Sequence, residues 1–94
     1  FDEEEDNIIP DGKGNWRVKA VTEIEDFNEA FGTIFSGEEY DTVGGLVLKA
    51  AGRLPKRGER IVIGSLVFTV LRGDSRRLHS LLVERKPPIP EANS

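Results

Sequence analysis

Between residues 60 and 84 the chain carries three short runs rich in apolar and β-branched residues, separated only by Gly64-Ser65 and by Gly73-Asp74-Ser75. Connections this short force consecutive strands to pair antiparallel, because a parallel return needs a dozen residues or more. Residues 60–63, 66–71 and 76–84 are therefore expected to form a three-stranded meander. Gly64-Ser65 is read as a two-residue hairpin loop of type II′. In the last run His79, Leu81 and Val83 fall on one face, and Leu78, Ser80 and Leu82 on the other. Such a sheet must be covered on its apolar face by something else in the chain.

The upstream half supplies that cover. Residues 16–21 alternate, with Trp16, Val18 and Ala20 on one side and Arg17, Lys19 and Val21 on the other, which predicts a further strand. Thr22 and Glu25 have the spacing of a capping box, and Ile24, Phe27 and Phe31 follow at helical intervals up to a stop at Gly32. A second helix is expected to start at Asp41 or Thr42, both good N-caps, and to end at Gly52. Val43, Leu46, Val47, Ala50 and Ala51 lie on one side of it and Leu48 on another, so it is apolar nearly all round and needs burial in its own domain or against a partner. Leu54, Pro55 and Gly58 mark a turn with Lys56 and Arg57 at its tip. The expected fold is α+β: strand-helix-helix-strand-strand-strand, with two helices packed on one face of a small, largely antiparallel four-stranded sheet.

The chain has 94 residues, enough for one domain with one modest core. With no cysteine, disulfides and thiolate metal sites are excluded. No apolar run approaches the length of a membrane span, so direct membrane insertion is not expected. Phe1 to Asp6 reads FDEEED, a like-charge run expected to be a solvated linker. Residues 1–15 are assigned to linker and loop, 16–86 to the domain, and 87–94 to a proline-rich tail. The sequence does not begin with methionine and looks like an excised piece of a longer protein. Residues 1–48 carry 13 acidic and 3 basic side chains, and residues 49–86 carry 10 basic and 3 acidic. This asymmetry is read as two halves that attract each other. No aromatic residues interleave with the arginines as single-strand binding would need, and no nucleic-acid partner is expected.

Four places in the chain bear on chemistry. The acidic run offers carboxylate oxygens to a divalent cation, but ordering a flexible segment around an ion is costly. His79 is the sole histidine and lacks metal-ligand spacing, so it is read as a partly buried sheet residue. Asp41, Thr42, Gly44 and Gly45 place glycines at a helix start, where free N–H groups bind anions. Standard phosphate-loop spacing is absent, and close backbone packing is the favoured explanation of the glycines. Arg76 and Arg77, with Arg72 and Asp74, surround the last turn, where arginines grip a phosphate or a carboxylate. Asp41, Thr42, Gly44, Gly45, Arg76 and Arg77 are the candidate ligand or partner contacts. No nucleophile elbow or other catalytic arrangement is present, and no enzyme activity is expected.

The runs DFNEAFG (26–32), DTVGGLV (41–47), GRLP with GE (52–55 and 58–59) and DSRR (74–77) occur in an order that resembles the CorC/HlyC transporter-associated domain. The acidic opening looks like the linker that follows paired CBS domains in that family. The resemblance implies a non-catalytic regulatory or interaction domain of a protein of magnesium and cobalt efflux. It implies as partners the CBS domains of the same full-length chain, a second copy in a homodimer, or a membrane transporter. It also implies a cytoplasmic location, peripheral to the inner membrane through the full-length protein. Magnesium or cobalt binding is not expected in this domain alone. The fold of the family is similar to part of the FAD-binding domains of certain flavin oxidases, which makes FAD or an adenine nucleotide the alternative ligand.

Overall fold

The structure, a computed structural model, describes residues 7–85. Strands β1 (Ile8–Pro10) and β2 (Trp16–Lys19) precede helices α1 (Ile24–Phe31) and α2 (Val43–Ala51), and strands β3 (Arg60–Ile63), β4 (Leu66–Gly73) and β5 (Leu78–Arg85) follow. All five strands form one antiparallel sheet in the order β1-β2-β5-β4-β3. The expected acidic linker at 1–6 and the expected proline-rich tail at 87–94 lie outside the described residues.

The α+β architecture is the expected one, but the sheet has five strands, not four. The additional strand is β1, within a stretch expected to be loop. Its three residues pair with β2 as Ile8↔Val18, Ile9↔Arg17 and Pro10↔Trp16. The return is organised by Asp11, whose Oδ1 accepts the N–H groups of Lys13 at 2.8 Å and Asn15 at 3.2 Å. A run this short shows no alternation, and its proline is tolerated because β1 is an edge strand.

Register fixes the two faces of the sheet. Trp16, Val83, Phe68 and Ile61 are cross-strand neighbours in one row, and Val18, Leu81 and Val70 in the next such row. This face meets Ile24, Phe27 and Phe31 of α1 and Val43, Leu46 and Val47 of α2 in a single buried core. Phe27 stacks on Phe31 at 4.3 Å between centroids, and Phe31 meets Trp16 edge-on at 5.0 Å. The opposite face carries Arg17, Leu82, Thr69 and Arg60 in one row and Lys19, Ser80 and Arg72 in another.

The last strand departs from simple alternation. Val70 pairs with Leu81, Arg72 with Ser80 and Gly73 with Leu78, so the register shifts twice. The intervening His79 lets both Leu78 and Leu81 be buried, whereas strict alternation set them on opposite faces. His79 is consequently not partly buried as expected but solvent-facing, with 41% of its side chain exposed. Arg76 and Arg77 were expected to open this strand; they lie in the turn before it. Arg85, one residue beyond the expected strand, is the last residue of β5 and pairs with Leu66. Its guanidinium donates to the Phe31 carbonyl at the end of α1 (3.1 Å) and lies over the Trp16 and Phe31 rings.

The Gly64-Ser65 hairpin follows expectation. Gly64 has φ of 62° while, among the described residues, none other than glycine has positive φ, the combination a II′ loop requires. Thr22, by contrast, does not cap α1. Its hydroxyl donates to the Lys19 carbonyl at 2.6 Å, and the N-cap is Glu23, which makes no side-chain cap bond. The second helix hides most of its apolar surface inside its own domain: Val43, Gly44, Leu46 and Val47 are buried, Leu48 is half-buried, and Lys49 and Ala50 face solvent.

Candidate functional site

The two helices begin at one point. Glu23 and Thr42 form an isolated antiparallel bridge, in which Ile24 N–H donates to Asp41 O at 3.1 Å and Val43 N–H donates to Thr22 O at 2.9 Å. Thr42 caps α2, its Oγ1 accepting from Gly45 N–H at 3.3 Å. Gly44 N–H donates to Ala20 O at 2.8 Å and Leu46 N–H to Thr42 O at 3.1 Å. The N–H groups of residues 43–46, those a phosphate would use at a helix start, thus all have protein acceptors.

The two glycines have different reasons. A Cβ on Gly44 would sit 3.0 Å from the Ala20 Cβ and 3.2 Å from the Ala20 carbonyl oxygen, so glycine here lets the helix backbone touch the end of β2. A Cβ on Gly45 would meet only the Thr42 hydroxyl, at 3.8 Å. Gly45 is half-buried and faces a shallow depression of about 280 Å³ shared with Thr42, Gly44, Leu48, Arg77 and Leu78. Four of the six residues singled out in the sequence therefore line one surface feature. Asp41 lines an adjoining depression of about 380 Å³ between the helix starts, with Glu23, Glu25, Tyr40 and Thr42. Arg76 lines neither of these; it is exposed in the turn.

That turn is held by Asp74. Its Oδ1 accepts the N–H groups of Arg76 at 2.7 Å and Arg77 at 2.9 Å, and its Oδ2 lies 2.9 Å from His79 Nε2. The His79 contact, reinforced by these two N–H groups, holds the Asp74 carboxyl down at about 2. His79, Arg72, Arg77 and Lys19 line a third depression of about 350 Å³. In the 53–59 turn Glu59 accepts from both arms of Arg53 and from the Lys56 N–H. The Arg53 hydrogen bond, ahead of the Lys56 one, lowers the Glu59 carboxyl below the ordinary range.

Sequence reasoning missed Val21. It is 62% exposed, and it lines all three of these depressions. The available signal was an apolar residue at an outward position of the alternating run 16–21. Among the described residues no group of three His, Cys, Asp or Glu side chains is placed to hold a metal ion. No helix among them is long and apolar enough to cross a membrane.

Comparison with known proteins places this geometry. Residues 9–87 match the CorC_HlyC family, described as a transporter associated domain. The magnesium and cobalt efflux protein CorC of Escherichia coli K12 is 48% identical over 92 residues, covering 97% of this chain and 32% of that protein. The CorC protein of Vibrio cholerae is 54% identical over 82 residues, covering 87% of this chain and 28% of its own length. The chain thus spans about a third of the curated relatives it matches. Among solved structures, a Mg2+ and Co2+ transporter (CorC) associated region from Neisseria meningitidis MC58 superposes with a TM-score of 0.82 at 55% identity, covering 85% of this chain and 99% of that one. A CorC_HlyC domain from a Xylella fastidiosa hemolysin, solved with Mg++ and Mn++, covers 87% of this chain and 100% of its own, with a TM-score of 0.77 at 22% identity, a likeness of fold alone. The four sequence runs, the shared helix start and these relatives agree, and the chain belongs to the CorC_HlyC transporter-associated domain family.

Proposed function

We propose that this domain is a non-catalytic interaction module of a magnesium and cobalt efflux protein, and that it docks through the surface around Val21. The partners that fit are the CBS domains of the same full-length chain, a second copy, or a transporter. On this reading the domain works at the cytoplasmic side of the inner membrane and is peripheral to it. The observation that carries the proposal is the exposure of Val21 where three depressions meet. Around it stand the half-buried Leu48 and the exposed Arg77, an apolar centre with a charged rim of the kind seen at protein interfaces.

The direct test is Val21→Asp in the full-length protein that carries this domain, with efflux of magnesium and cobalt from loaded cells as readout. An exposed side chain contributes little to folding, so thermal stability of the domain should be unchanged. Reduced efflux at normal protein level supports the docking surface; unchanged efflux removes it.

A second reading is a ligand domain for FAD or an adenine nucleotide. The depression carrying Lys19, Arg72, Arg77 and His79 favours it, since these groups suit an anion. The satisfied N–H groups at the start of α2 offer it no helix N-terminus. A bound ligand at about 100 times its Kd stabilises a fold by about 2.7 kcal/mol, so a thermal shift with FAD or ATP reads this out. No shift with either would end that reading.

A further inference from the structure

We propose that two copies of this domain pair through the Val21 surface about a two-fold axis, the acidic side of each lying on the basic side of the other. The proposal rests on the docking surface assigned above and commits its occupant to a second copy. The depression between the helix starts carries Glu23, Glu25 and Asp41 and no basic residue. The depression at the end of the sheet carries Arg72, Arg77 and His79 and no acidic residue. Val21 is the one residue common to both linings. The third depression, with Ala20, Gly44, Gly45 and Leu48, joins them: it shares Thr42 with the acidic side, and Arg77 and Leu78 with the basic side. Glu23, Glu25, Asp41, Arg72 and Arg77 are exposed, and among the described residues their side chains have no hydrogen-bond or ion-pair partner. Lys19 also lines the basic side, but it already has a partner and the pairing does not draw on it.

A surface with an apolar centre between an acidic and a basic side is its own complement after a half-turn. Rotation about an axis through Val21 sets Val21 on its copy. It brings Glu23 and Asp41 of one chain toward Arg72 and Arg77 of the other, and the contact occurs twice. The opposite arrangement, acid on acid and base on base, is repulsive, so charge fixes the orientation while the apolar centre supplies the contact. Exposed ion pairs are individually weak and screened by salt, so the pair loosens as ionic strength rises. Pairing covers Val21, so the paired form and a form docked elsewhere through Val21 exclude each other.

The test is sedimentation equilibrium of the 94-residue chain from micromolar to millimolar concentration at low salt. The expected result is a reversible monomer–dimer equilibrium that moves toward monomer as NaCl is added. Arg72→Glu with Arg77→Glu, and separately Glu23→Lys with Asp41→Lys, should each weaken pairing by at least about tenfold, because each sets like charges against one another. An equimolar mixture of the two double variants should pair again, since both contacts are then opposite in sign. Arg57→Glu, in a remote turn, should change nothing. Should a double variant fail to fold, dilution of the wild-type chain needs no substitution: the amides that shift should cluster on Val21, Thr42, Gly45 and Arg77. A chain that stays monomeric throughout, dilution shifts on another face, or folded double variants that do not pair on mixing would overturn the proposal. The efflux test is separable from this one. A monomeric chain whose Val21→Asp variant still lowers efflux keeps the docking surface and loses the pair; a dimer broken by Val21→Asp with unchanged efflux keeps the pair and loses the docking role.

Discussion

Glu23 and Thr42 stand opposite each other in an antiparallel bridge, so α1 and α2 start from one hydrogen-bonded point. Ile24 donates to Asp41 and Val43 to Thr22, which spares each helix one orphan N–H without any side chain. The link also sets Asp41 and Thr42 beside Val21, and the candidate surface is built outward from it.

Gly44→Ala and Gly45→Ala should have opposite signs. At Gly44 the new methyl meets Ala20 at 3.0 Å, and neither the short Ala20 side chain nor its carbonyl can give way. Overpacking of this kind costs about 1–3 kcal/mol. At Gly45 the new methyl meets only the Thr42 hydroxyl, at an ordinary 3.8 Å, and alanine should stabilise the helix by about 0.5–1 kcal/mol. Urea unfolding of the two variants measures both.

Thr42→Ala removes the acceptor for Gly45 N–H and should cost about 1 kcal/mol, while Thr42→Ser keeps the oxygen and most of the stability. Thr22→Ala should act differently. Its hydroxyl is buried against the Lys19 carbonyl, so the loss loosens the β2–α1 junction and leaves the helix start intact. Amide exchange at Ile24 distinguishes the two effects.

Asn28 organises the segment after α1. Its amide donates to Phe35 O at 2.8 Å, and its Oδ1 accepts from Thr33 Oγ1 at 2.7 Å and Phe35 N–H at 3.1 Å. Asn28→Ala should cost about 1–3 kcal/mol and raise amide exchange through residues 33–36. Asn28→Asp keeps the acceptor and loses the donor, and should fall between.

Much of this fold was legible because its signals are local. Period-two and helical spacing located β2 and both helices, and glycine turns located the meander. The failures are where backbone elsewhere took over. Thr22 and Glu25 have the spacing of a capping box, but the Lys19 carbonyl at the end of β2 accepts both the Thr22 N–H and its hydroxyl, and the N-cap falls on Glu23. In β5 the bulge at His79 turns on pairing with β4, which alternation along one strand does not encode. The candidate contacts divided in the same way: Thr42, Gly44, Gly45 and Arg77 share a depression only because β2 ends against the start of α2.

The Asp74–His79 contact predicts a stability contribution whose loss is confined to acid. The folded carboxyl titrates at about 2 against an ordinary 3.8. Its contribution is full above 3.8 and is lost as pH falls through about 2. Carboxyl NMR titration should show His79→Ala raising the Asp74 value toward 3.8, with the two N–H bonds from Arg76 and Arg77 retaining part of the depression.

The most direct test of the central proposal is binding between this domain and the preceding part of its full-length protein, supplied separately and followed by amide shifts. The account predicts shifts clustered on Val21, Thr42, Gly45 and Arg77, and their loss in Val21→Asp. Shifts confined to other surfaces, or unaltered by Val21→Asp, would contradict it.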